Sequence, residues 1–424
     1  MMRLTRVVGA AFVLTASAGA ALAQPAVSLA QRQADAKEKQ ERLIAYMQQH
    51  KLGAIMISSL RNFSWITDGG DTHIVITSEV GPVSLLFAAD GRKYLIANGS
   101  EAPRLMDEQL TGLGYELAFY KWYADKTKNN ERDQLIKRLT KGKKLASDVP
   151  YANAQVIPDS EFAGLRVPLT DIEIERYRWL GRECGLAVKQ TAEQIRPGMT
   201  EDEIEALTSD HLMTRGIRPT VLLIAVDDRI LKYRHAIPHG VPLQKYAMIN
   251  ICARRWGLVI ATTRFVHFGP MPDDLARKFE ACAKVDAAYL GATKPGAVAG
   301  DILAQAQRVY ADVGYPGEWE QHHQGGAIGY NERDWVTYPG CPEVVHERQA
   351  FAWNPTIQGA KIEDTILCLR DRNEVLTAIE GWPMIQVDMA GETWQRPGVL
   401  IREARTAARL LRGVPGLSRA DARS

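Results

Sequence analysis

The sequence predicts an α+β protein with a smaller α/β domain over residues 24–165 and a larger domain over 166–400 built from a duplicated helix–strand unit. Three observations predict it. Strand-like and helix-like segments alternate through the first third of the chain. Beyond that, two helices parted by a Pro-Gly stop and followed by strands occur twice, with Ile195-Arg196-Pro197-Gly198 answered by Thr293-Lys294-Pro295-Gly296. Between the copies lies Ala247–Phe268, two apolar β-branched runs parted by Arg254-Arg255-Trp256-Gly257, which reads as a buried hairpin.

The elements follow in order. Arg3 and Arg6 precede a short apolar run, Val7–Ala21, and Ala21-Leu22-Ala23 fits a small-residue cleavage site. Residues 1–23 are therefore expected to be a signal peptide cleaved after Ala23, giving a periplasmic or secreted protein. No second run reaches membrane length, so no stable membrane span is expected. Ala30–Lys51 reads as an amphipathic helix and Ala54–Ser58 as a strand. Arg61–Gly70 reads as a strand running into a glycine turn, and Val75–Ile76, Val83–Phe87 and Tyr94–Ala97 as strands. Leu110–Tyr120 is a strand or helix, Asp133–Leu139 a helix, and Asp159–Val167 a linker punctuated by Pro168.

Thr170-Asp171-Ile172-Glu173 is a capping box opening a long helix to Gln194, and Thr200 caps the next. Val221–Ala225 is a strand, and Tyr233–Pro238 leads into the hairpin. Helices at Leu275–Leu290 and Asp301–Val313 precede strands at Gln349–Trp353, Asp364–Leu369 and Met384–Val387. Residues 401–424 form a basic tail.

Fifty-two Lys and Arg against 50 Asp and Glu leave no net field for nucleic acid or an anionic membrane. The five cysteines (Cys184, Cys252, Cys282, Cys341 and Cys368) form no CxxC pair, which argues against a zinc ribbon. Buried unpaired thiols are the default expectation.

Residues 168–390 resemble the creatinase/prolidase/methionine-aminopeptidase superfamily, which has the pita-bread fold. The resemblance is carried by Arg196-Pro197-Gly198-Met199-Thr200-Glu201, His235-x-x-Pro238, the hairpin ending Thr263-Arg264, His323 near Gly325-Gly326, and Ala360-Lys361-Ile362-Glu363-Asp364-Thr365. Residues 30–165 resemble the smaller domain that precedes it in creatinase, prolidase and aminopeptidase P. The resemblance implies a homodimer acting on a small molecule or short peptide.

Metal-dependent members hold two divalent ions with two hairpin Asp, one His and two later Glu. Here those positions fall on Asn250, Ala261, Gly326 or Ala327, Asn354 and Glu363, so one carboxylate survives. Two cations close together need several anionic oxygens. No metal ligands and no cofactor are therefore expected. Creatinase, a metal-free member, cleaves an amidino C–N bond with a His at the place of His235, and its hairpin also carries Asn and Ala at the lost Asp positions. It uses carboxylates near Thr263 and Asn354, and these are absent here.

Three residues are candidate catalytic groups. His235 is a general acid or base, or else a structural His in the turn before Pro238. His323, one of the pair His322-His323, lines the pocket or faces solvent. Glu363 orients His235, binds a cationic substrate group, or pairs with Arg264 or Lys361. Asn250, Thr263, Arg264, Gln324, Asn354 and Lys361 are candidate substrate-binding residues. The resulting expectation is an exported, metal-independent hydrolase of a small amide, amidino or peptide C–N bond. The alternatives are a non-catalytic binding protein on this fold and a metal-dependent Xaa-Pro aminopeptidase.

Overall fold

The computed structural model describes residues 23–389 and 391–403; the apolar leader through residue 22 and the tail from 404 lie outside them. A six-stranded mixed sheet forms first, in the spatial order Glu116–Phe119, Lys93–Ala97, Val80–Ala88, Ala54–Ser59, Leu145–Ser147, Gln155–Val156. Ala54–Ser59 is central and buried at every position, which is why it reads as an unbroken apolar run. The helix Leu29–Gln49 starts with a Ser28 capping box and buries Ala36, Leu43 and Met47. No helix among the described residues is long and apolar enough to cross a membrane.

Three local expectations are corrected. Arg61–Gly70 is not a strand: Leu60–Ile66 is a helix, opened by the Ser59 side chain accepting from the Asn62 amide. Its Phe63 and Trp65 are fully buried, so tertiary packing overrides the β-propensity of the aromatics. Val75–Ile76 forms no strand, and Ile74, Val75 and Ile76 stand exposed. The expected linker contains the helix Asp159–Leu165.

The second domain repeats itself. Asp171–Gln194 and Glu201–Met213 form the first helix pair, each opened by a complete capping box, at Thr170 and Thr200. Asp273–Ala292 and Ala299–Asp312 form the second pair. Gly198 and Gly296 take the same left-handed backbone (φ +95° and +87°) at the two Pro-Gly stops, as a duplication requires. Each pair is followed by a four-stranded sheet. One runs Val399–Arg402, Leu258–Phe268, Tyr246–Arg255, Arg218–Val226; the other runs Gly325–Ile328, Gln349–Trp353, Asp364–Cys368, Asn373–Val375.

The hairpin is the expected one. Arg255 faces Leu258 across a two-residue turn, with Asn250 opposite Thr263. Trp256 and Gly257 both have positive φ, 52° and 80°, which is the left-handed pair that hairpin twist demands. Trp256 tolerates this because its ring packs edge-on against Trp179, centroids 5.1 Å apart, under the Arg176 guanidinium. All eleven residues of Leu258–Phe268 are buried. This strand joins the two half-sheets: Thr263 bridges Glu363, and the Ala261 amide donates to the Thr365 hydroxyl at 2.8 Å.

A Cβ at Gly257 would overlap Ser64 and meet the Tyr330 ring at 2.8 Å, whereas one at Gly142, also at positive φ, would meet nothing within 4 Å. Gly257→Ala should therefore lower unfolding free energy by about 2–5 kcal/mol, combining left-handed strain with overpacking. Gly142→Ala should cost only the strain, about 1–2 kcal/mol. Urea unfolding followed by circular dichroism compares the two.

Candidate functional site

The site is built where the two half-sheets meet. Glu363 enters from the segment before Asp364–Cys368 and is 1% exposed. Four side chains surround its carboxylate. Asn250 Nδ2 and Thr263 Oγ1 each donate to Oε2 at 2.8 Å, from facing positions of the hairpin. Lys361 Nζ lies 3.0 Å from Oε2, and Arg333 Nη2 donates to Oε1 at 3.0 Å. Burial, the largest influence, would raise the Glu363 pKa. Lys361, Arg333 and the Thr263 hydroxyl outweigh it and bring it down to about 2. Glu363 is thus a fixed anion at neutral pH, with no proton to give or take. Of the roles expected for it, the ion pair with Lys361 is the one the structure shows. Among the described residues it makes no hydrogen bond to His235.

The other positions of the paired-metal pattern supply no anion. Asn250 presents its amide N–H groups inward to Glu363 and Thr263. Ala261 has no donor atom beyond its backbone, which Thr365 occupies on both sides. Gly326 cannot carry an imidazole, because a Cβ there would run into the Trp335 carbonyl and lie 2.9 Å from its ring. Ala327 is packed fully into the core. Asn354 is 1% exposed, and its Oδ1 has no hydrogen-bond partner. One carboxylate already held by two cations does not fit a pair of divalent ions, whose repulsion needs several anionic oxygens to offset it.

Two expected substrate ligands belong to the framework instead. Arg264, 2% exposed, pairs with Asp364 at 2.6 Å and donates to the Thr377 carbonyl at 2.9 Å. Asp364 also receives Arg396 at 2.8 Å. Gln324 accepts from Tyr310 at 3.0 Å and donates to the His322 carbonyl at 2.8 Å. Both terminal nitrogens of Arg264 and the Gln324 amide are taken by buried partners, which ties these side chains into the framework. Lys361 is likewise engaged by Glu363. Thr263 and Asn250 line the seam beside the same carboxylate.

The histidines form the second half of the site. His235 comes from the turn after the Asp228–Lys232 helix, and His322-His323 from the segment ahead of Gly325. Gly325 sits at φ +86° with the Ala352 carbonyl where a Cβ would go, so only glycine lets this segment close onto its neighbour. His322 and His235 meet Nε2 to Nε2 at 2.8 Å, a contact that must share one proton. His323 stacks on His322, centroids 4.3 Å apart, and lies 5.7 Å from the His235 ring. His322 is buried, while His235 and His323 each keep an exposed side although their rings pack against one another. Burial first, then the nearby Lys361 charge, pushes His322 down to about 2. Burial, then Arg333 and Lys361, brings His323 to about 4. His235 is lowered by burial and then Lys361. All three rings are neutral near pH 7.

Sequence reasoning brought His235, His323 and Glu363 to one place but missed Arg333 and left His322 open. Arg333 lies on an irregular loop with no periodic signal. Its trace in the sequence is charge balance alone, since a buried Glu without metals must find cations elsewhere. All five cysteines are unpaired and buried, as expected.

Comparison with known proteins agrees with this architecture. Residues 175–370 match a family described as metallopeptidase family M24. A Pyrococcus horikoshii protein named Xaa-Pro dipeptidase is 24% identical over 369 residues, covering 81% of this chain and 97% of its own. A solved Xaa-Pro dipeptidase from Bacillus anthracis superposes with a TM-score of 0.68 at 19% identity, covering 87% of this chain and 100% of that one. The N-terminal domain of the chickpea FACT complex subunit SPT16 superposes with a TM-score of 0.64 at 13% identity, covering 84% and 98%. At these identities the solved structures speak to the fold.

The Glu363 anion carries a stability prediction. Its folded pKa of about 2 lies below its ordinary 4.5. The stabilisation is therefore fully present above the ordinary value and is lost as pH falls through the folded one. About 3 kcal/mol should disappear between roughly pH 5 and pH 2. Glu363→Gln should cost about 3–5 kcal/mol at neutral pH by stranding buried Lys361 and part-buried Arg333, and should flatten that part of the acid limb in urea unfolding.

Proposed function

We propose that this chain, which belongs to the creatinase/prolidase/aminopeptidase P superfamily, is a hydrolase that cleaves a small amide, amidino or peptide C–N bond without the paired-metal centre of its metal-dependent relatives. The observation that carries this is the neutral, exposed His235 imidazole held at 2.8 Å by buried His322, beside a carboxylate outnumbered by two cations. Water attacking the substrate carbon must lose a proton, and His235 is the accessible base. It then returns that proton to the departing nitrogen. One carboxylate against Lys361 and Arg333 leaves a positive charge in the site, which favours negative charge developing on the attacked group or a carboxylate on the substrate. Neutral rings near pH 7 suit a base, because no proton has to be removed before catalysis.

The names of the relatives favour a second reading, metal-dependent cleavage of Xaa-Pro dipeptides. The donor set argues against it, since four of the five ligand positions carry no anion or imidazole. Export through the leader ending at Ala23, and function as a homodimer, complete the proposal.

A panel of amides, amidino compounds and Xaa-Pro dipeptides tested on chelator-treated, tag-free protein separates the readings. Turnover that survives chelation supports the first; turnover that appears only with added Mn2+ or Co2+ supports the second. On the substrate found, His235→Asn should lower the rate roughly 10²–10⁴-fold with an unchanged circular dichroism spectrum. Because the His235 pKa lies below its ordinary 6.5, the base form persists on the acid side of neutrality. The rate should be flat through pH 7 and fall only below the usual imidazole range, which a pH–rate profile reads directly.

A further inference from the structure

We propose that His235, His322 and His323 form a binding site for one late first-row divalent ion (Zn2+, Ni2+ or Cu2+), distinct from the Glu363 seam. One nitrogen from each ring lies within 4.8 Å of the other two. A tetrahedral zinc ion with Zn–N bonds of about 2.05 Å sets its ligand nitrogens about 3.3 Å apart. The Nε2 atoms of His235 and His322 are already at 2.8 Å, so His323 supplies most of the movement. The burial pattern suits this. His322 is the buried anchor, 7% exposed, whereas His235 and His323 lie on the exposed side of the cluster.

The rings are not committed elsewhere. Among the described residues, no carboxylate or backbone carbonyl hydrogen-bonds to any of the three, and His322 Nδ1 is buried without a partner. A structural histidine normally has both ring nitrogens satisfied. Here the His235 and His322 Nε2 atoms face each other across one shared proton, which a metal ion would displace to the Nδ1 of its own ring. Imidazole ligands without carboxylates select zinc, nickel and copper over magnesium, calcium and manganese. The exposed side of the cluster leaves a fourth position to water, giving an open three-His site. Lys361 and Arg333 oppose a cation here, but Glu363 neutralises one of these two charges.

The site is independent of the proposed reaction, but its consequence rests on that reading: an ion held by His235 withdraws the base. The test is Zn2+ titration into full-length, tag-free, chelator-stripped protein, followed by calorimetry and by elemental analysis after dialysis. One equivalent should bind, with no uptake of Mn2+ or Mg2+. His323→Ala and His235→Asn should each weaken binding roughly 100-fold or more, since even changes to the groups supporting a ligand cost 10–100-fold, with circular dichroism confirming the fold. His346→Ala should leave binding unchanged, since His346 stands outside the cluster, with its backbone amide donating to Gln349 Oε1. Absence of saturable Zn2+ uptake, or uptake surviving both ligand substitutions, overturns the site. Turnover should fall as Zn2+ saturates. One-equivalent binding that raises turnover would keep the site and overturn the metal-independent reading instead.

Discussion

A single buried carboxylate, Glu363, sets the terms for the structure around it. It sits where the two half-sheets meet, and its negative charge could not be buried there alone. Lys361 and Arg333 neutralise it, while Asn250 and Thr263 fix its second oxygen from facing hairpin positions. In doing so Glu363 ties together the loop carrying Arg333, the strand pair of the hairpin and the segment leading into Asp364–Cys368. The same two cations act outward on the histidines, adding to burial in keeping those rings neutral. One charge arrangement therefore closes the seam and sets the protonation state of the nearest bases.

Beneath it lies a second buried arrangement. Asp364 receives both Arg264 and Arg396, and Arg396 also reaches Asp286. Adjacent residues thus divide the work: Glu363 faces the site and Asp364 faces the framework. The division follows from strand alternation, in which successive side chains point to opposite faces. It explains why Arg264, next in sequence to a site residue, serves the core.

Much of the fold was legible because its signals are local. Capping boxes at Thr170 and Thr200, the paired Pro-Gly stops and the Trp256-Gly257 turn each specify a backbone conformation through one or two residues. Where packing decides, the sequence misled. Phe63 and Trp65 look like strand residues but lie on a short helix, since aromatics fill either surface. Gln324 looked like an amide ready for a ligand, yet it is bound by Tyr310 and the His322 carbonyl, partners set by tertiary structure. The His235–His322 contact joins residues 87 positions apart, and only the duplicated architecture brings them together.

The most direct test of this account is anomalous diffraction at the manganese edge from crystals soaked in Mn2+. The account predicts no peak between Asn250 and Glu363, with the Lys361 ammonium and the Arg333 guanidinium on the carboxylate in the same map. Two peaks bridged by Glu363, with those cations displaced, would contradict it.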